Sequence, residues 1–322
     1  MRILSGIQPS GRPHLGNYFS MMKRMLEYQE TSELFCFVAS YHAMTTVEKG
    51  EDLARNIEDV VLDFLALGMD PNRSTFWVQS DVPEVTELTW ILSMQITVPQ
   101  LELAHSFKDK VAQGIIPSGG LFIYPILMAA DILAFRSEKV PVGKDQKQHL
   151  EFTRDIARRF NNVYGDILTM PEADISEDVA VVPGLDGRKM SKSYKNTIDF
   201  FATEQDLKKA VSSIVTDSKG LHDVKEPEGP LYDIYSLFLD EEGRKALADR
   251  FRTPGTGYGH IKMDLLKAIL EHFGEARERR ATLEKDPDTV RDILSAGAKK
   301  ARAIAAPLLE DVRKATGLRY MR

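Results

Sequence analysis

Arg2-Ile3-Leu4-Ser5-Gly6-Ile7-Gln8-Pro9-Ser10-Gly11-Arg12-Pro13-His14-Leu15-Gly16-Asn17 is the stretch on which the fold turns. Residues 2–5 read as a short buried strand, and Gly6 to Pro13 is rich in turn formers. From Tyr18 onward the apolar residues Met21, Met22, Met25 and Leu26 recur at helical spacing. A strand that passes through a glycine- and proline-rich loop into a helix is the opening half of a βαβ unit. Such a junction also collects anions. The first-turn N–H groups have no intrahelical acceptor, the helix dipole is positive there, and Gly16 lets a flat ring approach the backbone. Taken alone, the stretch is equally well a structural helix start.

Outward from it, residues 34–39 and 74–79 are short runs of β-rich composition. Between them lies the helical stripe Leu53, Ile57, Val60, Val61, Phe64 and Leu65, closed by Gly68 with Pro71 beyond. This alternation predicts an α/β fold with a parallel, doubly wound, Rossmann-like sheet. A helical insertion follows, with helices at 85–98 and 101–111 broken near Pro99 and a third at 122–135. A strand at 139–143, a helix at 144–160 and a last strand at 179–182 complete the sheet. After that, helical patterns at 207–214, 231–239, 243–251, 261–273 and 290–318 have no strand between them. The expected division is an α/β domain over 1–202 and an all-helical domain over 203–322.

The formal net charge of −6 argues against a protein that coats nucleic acid indiscriminately. It leaves room for a local basic track. Lys299, Lys300, Arg302, Arg313, Lys314, Arg319 and Arg322 crowd the C-terminal end, although a solvated helix face explains most of them better. Cys36 is the sole cysteine and lies in the apolar run 35–38, so it reads as a reduced core thiol. That count excludes an internal disulfide, a cysteine-rich zinc site and a cysteine-ligated iron–sulfur cluster. No apolar run approaches a membrane span and the N-terminus leads into a strand, so no membrane partner is expected and the expected location is cytoplasmic.

The second decisive stretch is Gly184-Leu185-Asp186-Gly187-Arg188-Lys189-Met190-Ser191-Lys192-Ser193. Ammonium groups, hydroxyls and backbone N–H groups in a glycine-led loop converge readily on a polyanion such as phosphate. Lysine serves there as a mobile point charge. A bare Lys-x-x-Lys would be a solvated basic turn. Here, however, several polar clusters follow separate strands, and in open α/β sheets ligands lie beyond the C-terminal strand ends. Gln8, Ser10, His14, Gly16 and Asn17 follow the first strand and His42 the second. Gly143, Lys144, Asp145 and Gln146 follow the fourth, and the Lys189 loop the fifth. Gly143-Lys144 is no P-loop, because Asp145 stands in the Ser/Thr place. Asp131 is embedded in the apolar run 127–133, where an unpaired carboxylate is expensive. It either reaches a partner such as Arg136 or receives a ligand donor.

His14-Leu15-Gly16-Asn17 and Lys189-Met190-Ser191-Lys192-Ser193, in this order, resemble the two signatures of the class I aminoacyl-tRNA synthetases, His-Ile-Gly-His and Lys-Met-Ser-Lys-Ser. The second is matched letter for letter. In the first, Leu15 replaces Ile and Asn17 the second His, and Asn in that place is a habit of the tryptophan branch. Tyr124-Pro125-Ile126-Leu127-Met128-Ala129-Ala130-Asp131 and Val140-Pro141-Val142-Gly143-Lys144-Asp145-Gln146 are similar to the bacterial members of that branch, and the likeness covers essentially the whole chain.

The resemblance implies activation of L-tryptophan by ATP to tryptophanyl-adenylate and transfer to tRNA(Trp). It places ATP across Gln8, Pro9, Ser10, Gly16 and Asn17, with adenine near Gly16, Val182 and Met190. Gly143, Lys144, Ser191 and Ser193 border the nucleotide, and Asp145 holds the ribose hydroxyls. Lys108 and Lys110 would lie near the phosphates, with Lys110, Lys189, Lys192 and His14 carrying the catalysis. Asp131 would receive the indole N–H between Met128, Val140 and Val142, and Tyr124 and Gln146 would meet the amine. His42 matches a pocket histidine, though a lone His after a strand is as often structural. Mg²⁺ would arrive with ATP, since no all-protein metal cage is visible. The insertion, about 44–135, would supply a homodimer interface and the helical domain would read the anticodon. Leu4, Ala39-Ser40-Tyr41 and His105-Ser106-Phe107 depart from the family pattern. A tyrosine–tRNA ligase and a synthetase-like adenylate-forming or regulatory protein that does not charge tRNA are the competing readings.

Overall fold

The structure, a computed structural model, describes residues 1–104, 107, 116–143, 147–174 and 181–319. Strand β1 (Arg2–Ile7) leads through the loop 8–14 into helix α1, which runs as Leu15–Asn17, a π-wound turn Tyr18–Met22, and Lys23–Thr31. β2 (Glu33–Val38) is followed by the short helix α2 (Ser40–Ala43), the long α3 (Gly50–Ala66) and β3 (Ser74–Val78). The insertion holds α4 (Glu84–Ser93), α5 (Val98–Glu102) and α6 (Gly119–Ala134). Then come β4 (Lys139–Pro141), α7 (Lys147–Tyr164) and β5 (Glu172–Asp174). From α8 (Glu204–Ser212) on, the elements are helices: α9 (Pro230–Ser236), α10 (Glu241–Arg252), α11 (Tyr258–His272), α12 (Gly274–Leu283) and α13 (Pro287–Ala315).

The strands are parallel and ordered β3-β2-β1-β4-β5, as the α/β reading expects. β1 is therefore central, with β2 on one side and β4 on the other, and the switch point of the sheet lies between β1 and β4. Side chains alternate between the two faces. Ile3, Ile7, Cys36, Val38 and Phe76 belong to one buried cluster, with α1, α3 and α8–α11. Leu4, Phe35, Phe37 and Trp77 belong to the other, with α4, α6, α7 and the second half of α13. Both clusters draw on residues from either side of position 202.

The C-terminal helix closes a vulnerable edge. β3 is an edge strand, and α13 lies so close to it that any Cβ at Gly297 would collide with the Phe76 carbonyl. Covering such an edge prevents it from pairing with another chain. Acidic residues of α4 fasten the helix, with Arg302 on Glu84 at 2.8 Å and Arg313 on Glu87 at 2.7 Å, and Lys300 reaches the Pro71 carbonyl at 2.8 Å. These three cations thus act within the fold, whereas Lys299 and Lys314 are exposed. Arg322 lies outside the described residues.

Several local expectations are corrected. The fifth strand of the sheet is Glu172–Asp174, which pairs with β4, whereas 181 and 182 of the expected run 179–182 are not in a strand. It is a polar edge strand without an apolar signal. Residues 179 and 180 lie outside the described residues, Val181 is exposed, and Val182 pairs back on Met190 (N···O 2.9 Å). Pro99 opens a helix instead of breaking one, because Thr97 caps α5 and a proline in the first turn forfeits no hydrogen bond. α12 escapes periodicity because its buried residues are Ala276 and Arg280. Arg280 bonds Asp63 at 2.6 Å and Asp59 at 2.7 Å and lies over the Phe201 ring, fastening α12 to α3. Among the described residues no helix is long and apolar enough to cross a membrane.

Candidate active site

At the switch point the two signature loops touch. The helix start is held locally, with Asn17 Oδ1 accepting the His14 backbone N–H at 3.1 Å. The next N–H groups turn to the second loop's side: Leu15 N–H bonds the Ile198 carbonyl at 3.0 Å, and Gly16 N–H points at the Met190 sulfur, 3.3 Å away. Lys192 reaches back across the gap, its Nζ donating to the Gly11 carbonyl at 2.7 Å. Gly11 adopts φ +116°, a region that favours glycine. The π-wound turn directly after Asn17 is a local irregularity of the kind that clusters at functional sites.

Burial tunes both titratable groups here. It pushes the His14 imidazole down to about 4, with the nearby Lys192 charge adding to the effect, so the ring is neutral at pH 7. Its Nδ1 is buried without a hydrogen-bond partner among the described residues. Burial likewise brings Lys192 down to about 8, against the opposing pull of Asp63 and Asp199. Lys189, by contrast, is exposed.

One buried side chain shapes the lysine loop. Asn196 accepts the Ser191 N–H at 2.8 Å and donates to Asp186 Oδ1 at 2.7 Å and to the Lys189 carbonyl at 3.2 Å. Its carbonyl also accepts the Leu185 N–H at 2.9 Å. A Cβ on Gly184 would collide with its amide, which gives that glycine a steric reason. Ser191 and Ser193 pair their hydroxyls at 2.9 Å, and Arg188 bonds Asp186 and lies 4.4 Å from the centre of the Tyr194 ring.

At the other end, Tyr124, Met128 and Asp131 fall at i, i+4 and i+7 of α6 and so share one face. Asp131 is 2% exposed. Its Oδ2 lies 2.8 Å from His42 Nε2, and Gln79 Nε2 donates to both carboxylate oxygens at 2.8 Å. Arg136 is not its partner and instead meets Asp311 at 3.4 Å. Tyr124 hydroxyl and His149 Nε2 are 3.1 Å apart. Val140, Val142 and Leu4 are buried in the same cluster, with Met128 packed against it.

Of the remaining expected residues, Gln8 and Ser10 are exposed, Pro9 is buried, and Gly143 is half-buried just past β4. Lys108, Lys110, Lys144, Asp145 and Gln146 lie outside the described residues. Gln79, Asn196 and His149 are additions. Gln79 directly follows β3, so the rule that ligands sit beyond strand C-termini could have found it. Nothing local marks Asn196. A cleft of about 550 Å³ bounded by Tyr235, Phe238, Arg250, Asp264 and His272 contains none of these groups. Among the described residues, no three His, Cys, Asp or Glu side chains come together as metal ligands.

Comparison with known proteins gives a consistent result. The family model for tRNA synthetases class I (W and Y) matches residues 1–274. The tryptophan–tRNA ligase of Fusobacterium nucleatum is 52% identical over 98% of each chain. The crystal structure of tryptophanyl-tRNA synthetase from Campylobacter jejuni, complexed with ADP and tryptophan, superposes with a TM-score of 0.94 at 52% identity, covering 98% of this chain and 100% of that one. The Mycoplasma pneumoniae tryptophanyl-tRNA synthetase gives 0.81 at 30% identity, with 98% and 97% covered.

Proposed function

This chain belongs to the class I aminoacyl-tRNA synthetases, in their bacterial-type tryptophanyl branch, and from that premise we propose that its two signature loops bind ATP while the Asp131 pocket binds tryptophan. The enzyme activates L-tryptophan with ATP and transfers the tryptophanyl group to tRNA(Trp). The tryptophan carboxylate attacks the α-phosphate in line and pyrophosphate leaves; a hydroxyl of the terminal tRNA ribose then attacks the aminoacyl carbonyl of the adenylate and AMP leaves. No enzyme nucleophile is required. Catalysis is positioning together with stabilisation of charge on the phosphoryl oxygens.

In this reading Lys189 and Lys192 follow that charge, and neutral His14 offers a hydrogen bond without adding a charge. Lys110 acts beside them. Gln8, Pro9, Ser10, Gly16, Asn17, Gly143, Lys144, Asp145, Val182, Met190, Ser191 and Ser193 border the nucleotide. Mg²⁺ carried by ATP supplies further positive charge at the phosphates. Asp131 accepts the indole N–H, Met128, Val140 and Val142 wall the ring, Tyr124 and Gln146 meet the amine, and His42 acts through Asp131. The observation that carries the reading is the contact of Lys192 with the Gly11 loop, a few residues from the neutral His14.

The wider assignments rest on similar arguments. Residues 1–202 carry the adenylate chemistry, and 203–322 read the anticodon. A second copy of the chain covers the insertion, where Trp90 is 70% exposed and Met44, Met94 and Val98 are exposed as well. Large apolar groups left exposed are a feature of such interfaces. The cytoplasm is where ATP and tRNA are met. Pyrophosphate exchange across all the standard amino acids, followed by charging of tRNA, tests the whole. Exchange with tryptophan alone, followed by charging of tRNA(Trp), is expected. Exchange driven by tyrosine, or exchange without charging, would overturn it.

A further inference from the structure

We propose that Gln79 is a specificity-determining positioning residue, which turns the Asp131 carboxylate so that Oδ1 faces the ring N–H of the substrate. The inference rests on the reading of Asp131 as the indole acceptor. A carboxylate on a single side chain rotates in a broad, nearly two-fold well, so its oxygens are interchangeable until something outside sets them. Here two donors do so. Among the described residues, Oδ2 is met by both His42 Nε2 and Gln79 Nε2, while Oδ1 is met by Gln79 alone. An ionised carboxylate offers about four acceptor positions, and the unused capacity is greater on Oδ1.

The amide is itself fixed. Gln79 Oε1 accepts the Tyr41 N–H at 2.9 Å, so a flipped amide would set its carbonyl against the carboxylate and its amino group against an N–H donor. Tyr41 and His42 lie on the same short helix, and Ser40 Oγ of that helix accepts the Ser80 N–H at 3.1 Å. The two donors that aim Asp131 are thus tied together through the segment after β3. Gln79 is 1% exposed, Asp131 2% and His42 7%, which keeps bulk water from competing for the acceptor. In such surroundings a ligand without a ring N–H leaves a buried charge under-satisfied, and the penalty depends on the oxygen being held in place.

The test compares tryptophan with its benzothiophene analogue in pyrophosphate exchange, for the full-length wild type, Gln79→Glu, Gln79→Met and, as a control, Asp131→Ala. Gln79→Glu is nearly isosteric but offers no amide donor. Gln79→Met removes the hydrogen bonds without adding charge, and serves if the Glu variant does not fold. Both should raise KM for tryptophan by roughly ten- to hundredfold. KM for ATP should stay unchanged and kcat should fall far less, and the preference for tryptophan over the analogue should shrink in proportion. A side chain that merely fills space would lower the melting temperature and leave the preference intact. Full preference in the Gln79 variants, with preference lost in Asp131→Ala, would overturn the role of Gln79 alone. Full preference in Asp131→Ala would overturn the acceptor reading beneath it.

Discussion

At the end proposed to hold tryptophan, Gln79, Asp131 and His42 are 1%, 2% and 7% exposed and hold one another through contacts of 2.8 Å. At the end proposed to hold the nucleotide, Lys189 is exposed and Lys192 donates to the Gly11 carbonyl at 2.7 Å. The difference fits the role proposed for each end. A ring N–H does not move during the reaction, so its acceptor gains by being fixed and dry. Charge on a phosphoryl group shifts as bonds break, which favours compact ammonium groups on flexible stems that can follow it.

Lys192→Ala is the sharpest way to separate the two ends. Single-turnover adenylate formation should slow by a factor of several hundred, or about 3–4 kcal/mol. The tryptophan dissociation constant should not change. If it rises as well, the ends are coupled and the contrast fails.

Titration gives the next largest effect. Lys192 sits at about 8 in the free protein because burial disfavours its charge, so the ammonium is present below that pH and lost above it. Bound polyphosphate favours the charged form and moves the titration upward. kcat/KM for ATP should therefore fall about tenfold per pH unit above pH 8, while kcat stays level to higher pH. Limbs that coincide in the two profiles would assign the titration to another group.

The smallest effect is expected at Asn196. Asn196→Ala removes the bonds to Ser191, Asp186 and the Lys189 carbonyl, and should lower kcat by roughly tenfold. KM for tryptophan should be unaffected. An equal loss at both ends would mean that Asn196 supports the whole fold and not the loop.

Legibility in the sequence follows the same contrast. The Lys189–Ser193 run and the His14–Asn17 helix start are local patterns, and the folded chain brings them together. Asp131 is conspicuous as a charge in an apolar run, but its partners are not: His42 is 89 and Gln79 52 positions away, and the nearby Arg136 turns elsewhere. β5 leaves no signal in the sequence because a polar edge strand has no apolar alternation, and α12 leaves little because its buried contact is an arginine.

Local pattern is enough for the parallel α/β sheet, the helical tail, the two signature loops and a buried acid whose charge requires a partner. Each depends on periodicity, turn chemistry or transfer cost over a few neighbouring residues. The packing of distant segments sets which donors hold Asp131 and brings Lys192 onto Gly11, 181 positions away. It also lets Gly297 seat the last helix against β3. Those outcomes depend on which surfaces meet, and hydrogen bonds and steric fit between distant segments leave no periodic trace in the chain.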